Sequence, residues 1–362
     1  MECVEERGTT IDEDEQVQVY ERRGAHQFAI ISQKGRSMNP VIRFTGVSKR
    51  FCSVNALDDV TLQIQPGTVC AVLGANGAGK STAIRLLLGF ESPDKGNIEV
   101  LEMNPKTHAL EIRGRVGYVS DSPPLYEWMT VDKIGWFAAG FYPTGYQAEY
   151  DRLTKRFDLV GSQKIKGLSK GTRAKVALSL AMAHRPPLLI MDEPTSGLDP
   201  LVRREFLESM IDVAAEGRTV LLSSHQVGEV ERVADDVIVL MNGRVVAHER
   251  LEDLKKSVTE VVLSLPAANS VPPILPGRIV AHVAFGHEHV WLVRDLDSDR
   301  LADLCRSQEL PQPIVRKPSL EEILLTLLRQ NRNQQAEGTS VLVSGKALAA
   351  GIGSESTGKT GG

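Results

Sequence analysis

The fold of this 362-residue chain is decided by one stretch, Gly74-Ala75-Asn76-Gly77-Ala78-Gly79-Lys80-Ser81-Thr82. An apolar run from Val69 to Leu73 precedes it and predicts a buried strand, and residues 83–88 follow it and predict a helix. A glycine-rich loop in this place lets backbone N–H groups surround phosphates, and the helix N-terminus adds partial positive charge. Lys80 can reach the β- and γ-phosphates of a nucleotide, and the Ser81 hydroxyl can ligate Mg²⁺. The alternative is a glycine-rich turn without a ligand, and the loop alone does not separate a kinase, a GTPase and a transport ATPase.

A second chemical signal is the stretch Pro187-Leu188-Leu189-Ile190-Met191-Asp192-Glu193-Pro194. Its apolar residues predict a buried strand that ends in two carboxylates. A carboxylate at the carboxyl end of a strand, beside a phosphate-binding loop, suits Mg²⁺, and a second one can orient and polarise a water molecule. The alternative is an exposed Asp-Glu turn. Another predicted strand, residues 219–224, ends at His225, whose ring can hydrogen-bond a phosphate or the attacking water.

The composition of the whole chain fits one large globular domain or two unequal ones. A net charge of −4 gives no reason to expect nucleic acid as the main partner. No run of about 18 apolar residues is present, and the acidic N-terminal region lacks the apolar segment of a secretion signal. The four cysteines form no CxxC pair, so we expect reduced thiols in a cytosolic protein, with Cys70 in the core.

The remaining patterns predict the elements that surround these two stretches. Residues 41–64 predict an antiparallel strand pair, and Phe51 lies near its turn, where it can stack on a base or lie in the core. Short strands are predicted at 96–100 and 116–120, and helices at about 130–141 and 147–159. Ser169 is a good N-cap for a predicted helix that continues to Met182, and Asn242-Gly243 predicts a hairpin turn.

Taken together, these stretches closely resemble the motifs of the ATP-binding subunits of ATP-binding cassette (ABC) transporters. Residues 74–81 resemble the Walker A motif, and residues 189–193 resemble Walker B with its catalytic glutamate. Residues 168–172 resemble the signature motif, residues 196–199 resemble the D-loop, and His225 lies at the position of the switch histidine. With Phe51 at the aromatic A-loop position, six motifs occur in order over about residues 41–247. The resemblance is greatest to the bacterial ABC-2 subgroup, whose members often act as exporters.

The resemblance implies binding sites for ATP and Mg²⁺. The implied catalytic residues are Glu193, which positions water, and His225, which holds the γ-phosphate. The implied ATP-binding residues are Phe51, Gly74, Ala75, Asn76, Gly77, Ala78, Gly79, Lys80, Ser81, Thr82, Ser169, Gly171 and Asp199. The implied metal ligands are Ser81, Asp192 and Asp121.

Two departures from the family pattern bear on these implied sites. The signature has Lys170 and Thr172 where Gly and Gln are usual, and such variants are common in the subgroup. Asp121 lies at the position of the Q-loop, where the family usually has Gln. Its carboxylate is shorter and charged, and it can bind Mg²⁺ or water. The alternative is that Asp121 caps the following turn.

The expected fold class is α/β, a P-loop NTPase core with an antiparallel β subdomain and a helical subdomain, plus a small α+β C-terminal domain. Residues 1–38 are predicted to be a disordered extension, in which residues 28–31 have strand character but no evident partner. Residues 39–247 are the predicted ABC ATPase domain, residues 248–330 the C-terminal domain, and residues 331–362 a disordered Gly/Ser-rich tail. In the C-terminal domain, His282, His287 and His289 are either metal ligands or exposed strand and loop histidines.

The resemblance also implies the partners of the chain. We expect a second ATP-binding subunit in a homodimer with two ATP molecules at its interface, an integral membrane permease subunit, and no nucleic acid. Such a subunit lies at the cytoplasmic face of the cell membrane and powers transport, in this subgroup export. The alternatives are a non-transport ABC ATPase that acts on nucleic acid or ribosomes, and a regulatory ATP-binding subunit with little turnover.

Overall fold

The computed structural model describes residues 39–265 and 272–330, together with the backbone of two short strands, Gln16–Gln18 and Ile30–Gln33. The rest of the predicted N-terminal extension, and the whole of the predicted tail at 331–362, lie outside the described residues. The chain forms two compact units that divide after Asp253. Within the described part, no helix is both long and apolar enough to cross a membrane.

The secondary structure alternates strands and helices over most of the chain. The strands are β1 (Gln16–Gln18), β2 (Ile30–Gln33), β3 (Ile42–Phe51), β4 (Val54–Ile64), β5 (Val69–Leu73), β6 (Lys95–Val100), β7 (Val116–Val119), β8 (Leu188–Asp192), β9 (Thr219–Ser224), β10 (Asp236–Met241), β11 (Arg244–Arg250), β12 (Val258–Ser264), β13 (Arg278–Phe285), β14 (Glu288–Arg294) and β15 (Ile314–Arg316). The helices are α1 (Lys80–Leu87), α2 (Ala109–Arg115), α3 (Val131–Ala139), α4 (Tyr146–Arg156), α5 (Lys170–Met182), α6 (Pro200–Ala215), α7 (Val227–Val233), α8 (Leu251–Ser257), α9 (Ser298–Ser307) and α10 (320–330).

The main sheet of the first unit has the order β1-β2-β11-β10-β5-β9-β8-β7. From β10 to β7 all neighbouring strands are parallel. Strands β8 and β9 are buried along their whole length, as expected for parallel strands covered on both faces. Leu73 pairs with Ser224, and Asp192 pairs with Ser223, so the carboxyl ends of β5, β9 and β8 lie side by side. Ligands of open α/β sheets bind at this edge.

The far end of this sheet includes two short strands from residues 1–38, which we predicted to be disordered. Strand β2 pairs in parallel with β11 at Ala247 and His248, and β1 pairs with β2. The prediction of disorder is wrong for these two strands and stays a prediction for the rest of the segment. Without β2, strand β11 would present unpaired backbone N–H and C=O groups at a sheet edge. Backbone pairing of this kind leaves little trace in a hydrophobic pattern, which explains why the sequence offered no partner for residues 28–31.

The predicted antiparallel pair before the phosphate loop is confirmed as β3 and β4, and β6 adds a third strand in the order β4-β3-β6. Its apolar side chains share one core with α1 and with parts of β5, β8, β9 and β10. This layer lies beside the loop that follows β5, and it contributes Phe51 at the end of β3.

The helices α3, α4 and α5 form the predicted helical part of the unit, and α3 and α4 end within a few residues of their expected bounds. The helices α3 and α4 approach each other closely at Gly135, because a Cβ there would lie 2.1 Å from the Tyr150 ring. The Tyr150 hydroxyl donates to the Val131 carbonyl at 2.8 Å, which satisfies this buried polar group. Helix α6 was not among the predicted elements, although Asp199 and Pro200 form a regular helix start.

The second unit contains a sheet in the order β13-β14-β12-β15, with α9 packed on it. The core between them contains Val261, Trp291, Val293 and Leu301. This agrees with the α+β class expected for this region. Strand β15 was not predicted from the sequence, since it has only three residues and all of them are exposed.

One of the two interpretations required the three histidines of the second unit to be exposed. The structure contradicts this interpretation. His289 has only 3% of its surface exposed, and its Nδ1 lies 3.0 Å from Nε2 of His282. Both rings stack near Trp291. Burial lowers the pKa of both histidines, and the neighbouring His289 lowers that of His282 further. Among the described residues, no three His, Cys, Asp or Glu side chains are grouped as metal ligands.

Candidate nucleotide site

The loop between β5 and α1 is packed so closely that two of its glycines have no room for a side chain. A Cβ on Gly74 would lie 2.4 Å from the Leu240 carbonyl oxygen, and one on Gly79 would lie 2.4 Å from that of Ala56. Gly79 also has a φ of 109°, which favours glycine. Gly77, in contrast, faces open space. The loop is therefore fixed by β4 and β10 on one side and open at Gly77, where a ligand can approach the backbone.

Lys80 is the first residue of α1, and its side chain is buried with only 6% exposed. Its ammonium group donates to the carbonyls of Gly74 at 2.7 Å and Ala75 at 3.3 Å. Nζ also lies 3.2 Å from Oε1 of Glu193. A buried cation requires such acceptors. Phosphate oxygens are equivalent acceptors, so the site is built to hold an anion at the N-terminus of α1.

Glu193 connects Lys80 with His225. Its Oε2 lies 2.6 Å from Nδ1 of His225, while its Oε1 contacts Lys80. The backbone of Glu193 has a φ of 49°, an uncommon conformation for a residue other than glycine. Its N–H is held by the carbonyl and the hydroxyl of Ser223, each at 3.1 Å. Strand β9 therefore fixes a strained turn that directs the carboxylate into the site.

Asp192 is nearly buried, and it accepts a hydrogen bond from the Ser223 hydroxyl at 2.6 Å. Its charge acts on Tyr118, whose pKa is raised mainly by burial and further by Asp192. Ser81 is exposed in the first turn of α1. The hydroxyl of Ser81 and the carboxylate of Asp192 are hard oxygen donors, so these residues fit Mg²⁺.

The predicted N-cap of the signature helix is confirmed. The Ser169 hydroxyl accepts from the N–H of Thr172 at 3.1 Å and lies 2.8 Å from the Thr172 hydroxyl. A Cβ on Gly171 would lie 3.1 Å from Val202, so the first turn of α5 packs closely on the first turn of α6. Asp199 caps α6 by accepting from the N–H groups of Leu201 and Val202, both at 3.1 Å. The roles of Ser169, Gly171 and Asp199 toward ATP stay predictions.

Phe51 is not a core residue, because 40% of its surface is exposed. The ammonium of Lys49 lies 5.1 Å from its ring centroid, and it also pairs with Asp94 at 3.6 Å. The core interpretation of Phe51 is therefore wrong. An exposed ring at a strand end leaves base stacking as a prediction.

Asp121 follows β7 in an exposed loop, and its Oδ1 lies 3.9 Å from Nζ of Lys170. In the part of the chain that the structure describes, Asp121, Asp192 and Glu193 do not form a three-carboxylate metal group. The structure thus brings together two of the three positions at which this chain departs from the family pattern, Asp121 and Lys170. The role of Asp121 toward Mg²⁺ stays a prediction.

Sequence reasoning missed the side chains that support the site. Ser223 holds both Asp192 and the N–H of Glu193. Glu229, which is 5% exposed, accepts from the Thr195 hydroxyl at 2.5 Å and pairs with Arg203 at 3.1 Å. These contacts fix the turn after Glu193 to α6 and α7. For Ser223, the signal in the sequence was a polar residue inside an otherwise apolar strand, which indicates a buried group that needs a partner.

An exposed group of aromatic rings, here called the aromatic surface, was also missed. It consists of Tyr126, Trp128, Phe137 and Phe141, whose rings are in contact, and of the exposed Trp136, which precedes Phe137 on α3. Trp128, Trp136 and Phe141 are 70–73% exposed. Ring centroids lie 5.6 Å apart between Tyr126 and Phe137, and 5.3 Å apart between Phe137 and Phe141. Aromatic rings in contact with each other and with solvent are typical of interaction sites.

Two features define a P-loop nucleoside triphosphatase. One is the glycine-rich loop between β5 and α1, and the other is the pair of carboxylates at the end of β8, two strands away in the sheet. The comparisons with known proteins identify the family. A family profile described as "ABC transporter" matches residues 57–196. NatA, an ABC transporter ATP-binding protein of Bacillus subtilis, is 34% identical over 227 residues, which are 60% of this chain and 92% of NatA. The chain belongs to the ABC transporter ATP-binding proteins, and it is an ATPase of that family.

Other relatives match the same part of the chain. The uncharacterized ABC transporter ATP-binding protein all4389 of Nostoc sp. is 34% identical over 208 residues, 56% of this chain and 62% of that protein. Nod factor export ATP-binding protein I of Ralstonia nicotianae is 31% identical over 231 residues, 61% of this chain and 70% of that protein.

Solved structures match as well. A structure described as an ATP-binding subunit of an ABC transporter is 33% identical, with a TM-score of 0.56, over 60% of this chain and 92% of the other. CbiO1 of Clostridium perfringens, part of the transporter complex cbiONQ, is 25% identical with a TM-score of 0.55, over 60% and 91% of the two chains. The expected fold class is thereby confirmed.

Proposed function

We propose that this chain binds two ATP molecules as a homodimer and hydrolyses them to power export through a separate membrane subunit, at the cytoplasmic face of the membrane. One observation carries the proposal. The buried ammonium of Lys80, at the N-terminus of α1, is neutralised by Glu193, which in turn contacts His225. An anion-binding cation and a general base in direct contact are the parts that nucleoside triphosphate hydrolysis requires.

Each side chain has a distinct task in this reaction. The N–H groups of the loop and Lys80 hold the phosphates. Glu193 accepts a proton from the water that attacks the γ-phosphorus, and ADP leaves with the electrons of the broken P–O bond. His225 contacts Glu193 through Nδ1, which leaves Nε2 as the nitrogen that faces phosphate. Ser81 and Asp192 would hold Mg²⁺, which would supply charge neutralisation on the phosphate oxygens.

The homodimer is supported by the exposed start of α5. Ser169 and Lys170 are exposed, and the N-terminal N–H groups of a 13-residue helix point outward there. These groups favour an anion. A C₂ dimer that places the phosphates bound by one subunit against α5 of the other completes two equal sites.

The membrane subunit is supported by the aromatic surface. It begins at Tyr126, only five positions after Asp121 on the same loop, so it lies next to the chain segment that leaves the nucleotide site. Exposed tryptophan and tyrosine are frequent anchors of protein interfaces. The relative named for Nod factor export supports the direction of transport.

Two measurements test this function. Phosphate release by the purified full-length chain tests hydrolysis, and its absence at saturating ATP and Mg²⁺ would favour a regulatory ATP-binding subunit. Isolation of the tagged chain from detergent-solubilised cells tests the partner. Recovery of an integral membrane protein supports transport, whereas recovery of ribosomes or nucleic acid, lost after nuclease treatment, supports the non-transport alternative.

A further inference from the structure

We propose that Asp121 and Lys170 act together as a pair of positioning residues that holds the loop after β7 against the signature helix α5. The inference rests on the proposed function, and it gives one cause to the departures from the family pattern at Asp121 and Lys170. Asp121 replaces a neutral side chain by an anion, and Lys170 replaces a side-chain hydrogen by a cation. Their charges meet within the same subunit at 3.9 Å.

The position of Lys170 requires an explanation of its own. It is the first residue of α5, where the partial positive charge of the helix N-terminus repels a cation. An opposite charge within reach offsets this repulsion. Asp121 supplies that charge, and the Ser169 hydroxyl supplies the cap.

Lys170 also reaches the turn that follows the catalytic glutamate. A Cβ on Gly197 would lie 3.0 Å from Nζ of Lys170, and 3.6 Å from its Cδ. Gly197 has a φ of 68° and lies in the turn in which Ser196 donates to the Glu193 carbonyl at 3.1 Å. The lysine chain therefore lies between the loop after β7 and the turn that leads away from Glu193.

A second ion pair joins the same two elements. Nη1 of Arg173, one turn further along α5, donates to Oε1 of Glu127 at 3.0 Å. Glu127 lies between Tyr126 and Trp128 of the aromatic surface. The loop that carries Asp121 and begins the aromatic surface is thus tied to α5 at two points. A force on the aromatic surface reaches the signature helix through these pairs, and through Lys170 it reaches the turn after Glu193.

Charge exchange tests the pair. The variants are Asp121→Lys, Lys170→Asp and the double exchange, each made in the full-length chain. Hydrogen–deuterium exchange of the nucleotide-free protein gives a readout that does not depend on ATP. Each single reversal places like charges together, so we expect amides of residues 121–130 to exchange about two- to tenfold faster. The double exchange should return them to within about twofold of the wild type.

The same variants in a Glu193→Gln background connect the pair to the nucleotide site. The ATP-dependent dimer should weaken about two- to tenfold in each single reversal and recover in the double exchange. An exchange of the exposed Arg204–Glu208 pair on α6 is the matched control and should change neither readout. If Glu193→Gln alone forms no dimer with ATP, the proposed function fails while the exchange data still decide on the pair.

Two results would overturn the inference. Wild-type exchange rates in both single reversals would show that the pair has no positioning role. A loss of Mg²⁺ affinity in Asp121→Lys that the double exchange does not restore, together with unchanged exchange rates, would instead assign Asp121 to the metal.

Discussion

Replacement of Glu193 by Gln should separate two tasks of the side chain, since the carboxylate contacts Lys80 and is also the proposed general base. Oε1 lies 3.2 Å from Nζ, and the two side chains are 17% and 6% exposed. At this distance the Coulomb attraction is about 5 kcal/mol with an effective dielectric constant of about 20. Most of it is offset by the cost of desolvating both charges, and hydrogen bonds to charged groups contribute about 1.5–3 kcal/mol net.

The phosphate oxygens of ATP have to replace the Glu193 carboxylate at Lys80. Lys80 also donates to the carbonyls of Gly74 and Ala75, so we expect only a part of its interaction energy to be exchanged. We take the difference to be about 1–1.4 kcal/mol. Glu193→Gln should therefore bind ATP about five- to tenfold more tightly than the wild type. It should also hydrolyse ATP at least about 10²-fold more slowly, because an amide cannot accept the proton of the attacking water.

The assay is a calorimetric titration with ATP, in the presence of Mg²⁺ and again in EDTA. The second condition removes any effect of the carboxylate on the metal. Glu208→Gln, which neutralises an exposed carboxylate on α6, is the matched control and should leave affinity and turnover unchanged. Weaker ATP binding by Glu193→Gln in EDTA would refute the competition between carboxylate and phosphate, and normal turnover would refute the role of general base.

Three further changes test other parts of the structure. Lys80→Ala removes a charged contact to phosphate and should weaken ATP binding about 10- to 100-fold, measured in the same titration; an unchanged affinity would contradict the phosphate site. Burial lowers the pKa of His248 from 6.5 to about 4, so the folded state binds fewer protons than the unfolded state below pH 6.5. The free energy of unfolding should fall by about 3 kcal/mol as the pH decreases from 6.5 to 4. In urea unfolding, His248→Leu should remove this part of the pH dependence, whereas the control His108→Gln, at an exposed position, should not. Trp136→Ser should leave turnover and melting temperature unchanged but weaken co-isolation with the proposed membrane subunit. Leu110→Ser, at an exposed position on α2, is the control and should not weaken it. Equal recovery of the membrane subunit with both variants would exclude the aromatic surface as the docking site.

The position of the glycine-rich loop, the two carboxylates and His225 at one edge of the sheet was predictable from the sequence, because each lies at the end of a strand that is largely apolar. Leu73, Met191 and Ser224 are buried strand residues, and the loop, the carboxylates and His225 come directly after them. Parallel strands align their carboxyl ends at one edge of the sheet. Residues that directly follow predicted parallel strands are therefore predicted to lie close together.

The contacts within the site could not be predicted in the same way. The distance between Glu193 and Lys80 depends on a positive φ at Glu193, which Ser223 of a neighbouring strand maintains. The pairing of β2 with β11 joins Ile30 to Ala247, which are far apart in the sequence. The contact of Asp121 with Lys170 joins residues 49 positions apart that lie in no common periodic pattern. Such features follow from tertiary packing, which local patterns do not encode.

Two ion pairs connect the proposed nucleotide site with the loop that begins the aromatic surface. Lys80 and Glu193 neutralise each other at the phosphate loop, and Lys170 and Asp121 do so at the signature helix. In the proposed dimer, a bound triphosphate attracts both lysines, since one lies in the loop of its own subunit and the other lies at the start of α5 in the partner subunit. We expect Asp121 to keep Lys170 in place there, so that the loop that begins the aromatic surface stays tied to α5 while ATP is bound. Hydrolysis removes the γ-phosphate charge and with it part of the attraction that holds the two subunits together. On this reasoning Asp121 and Lys170 do not impair the ATPase; they link its charge state to the surface where the membrane subunit is proposed to dock.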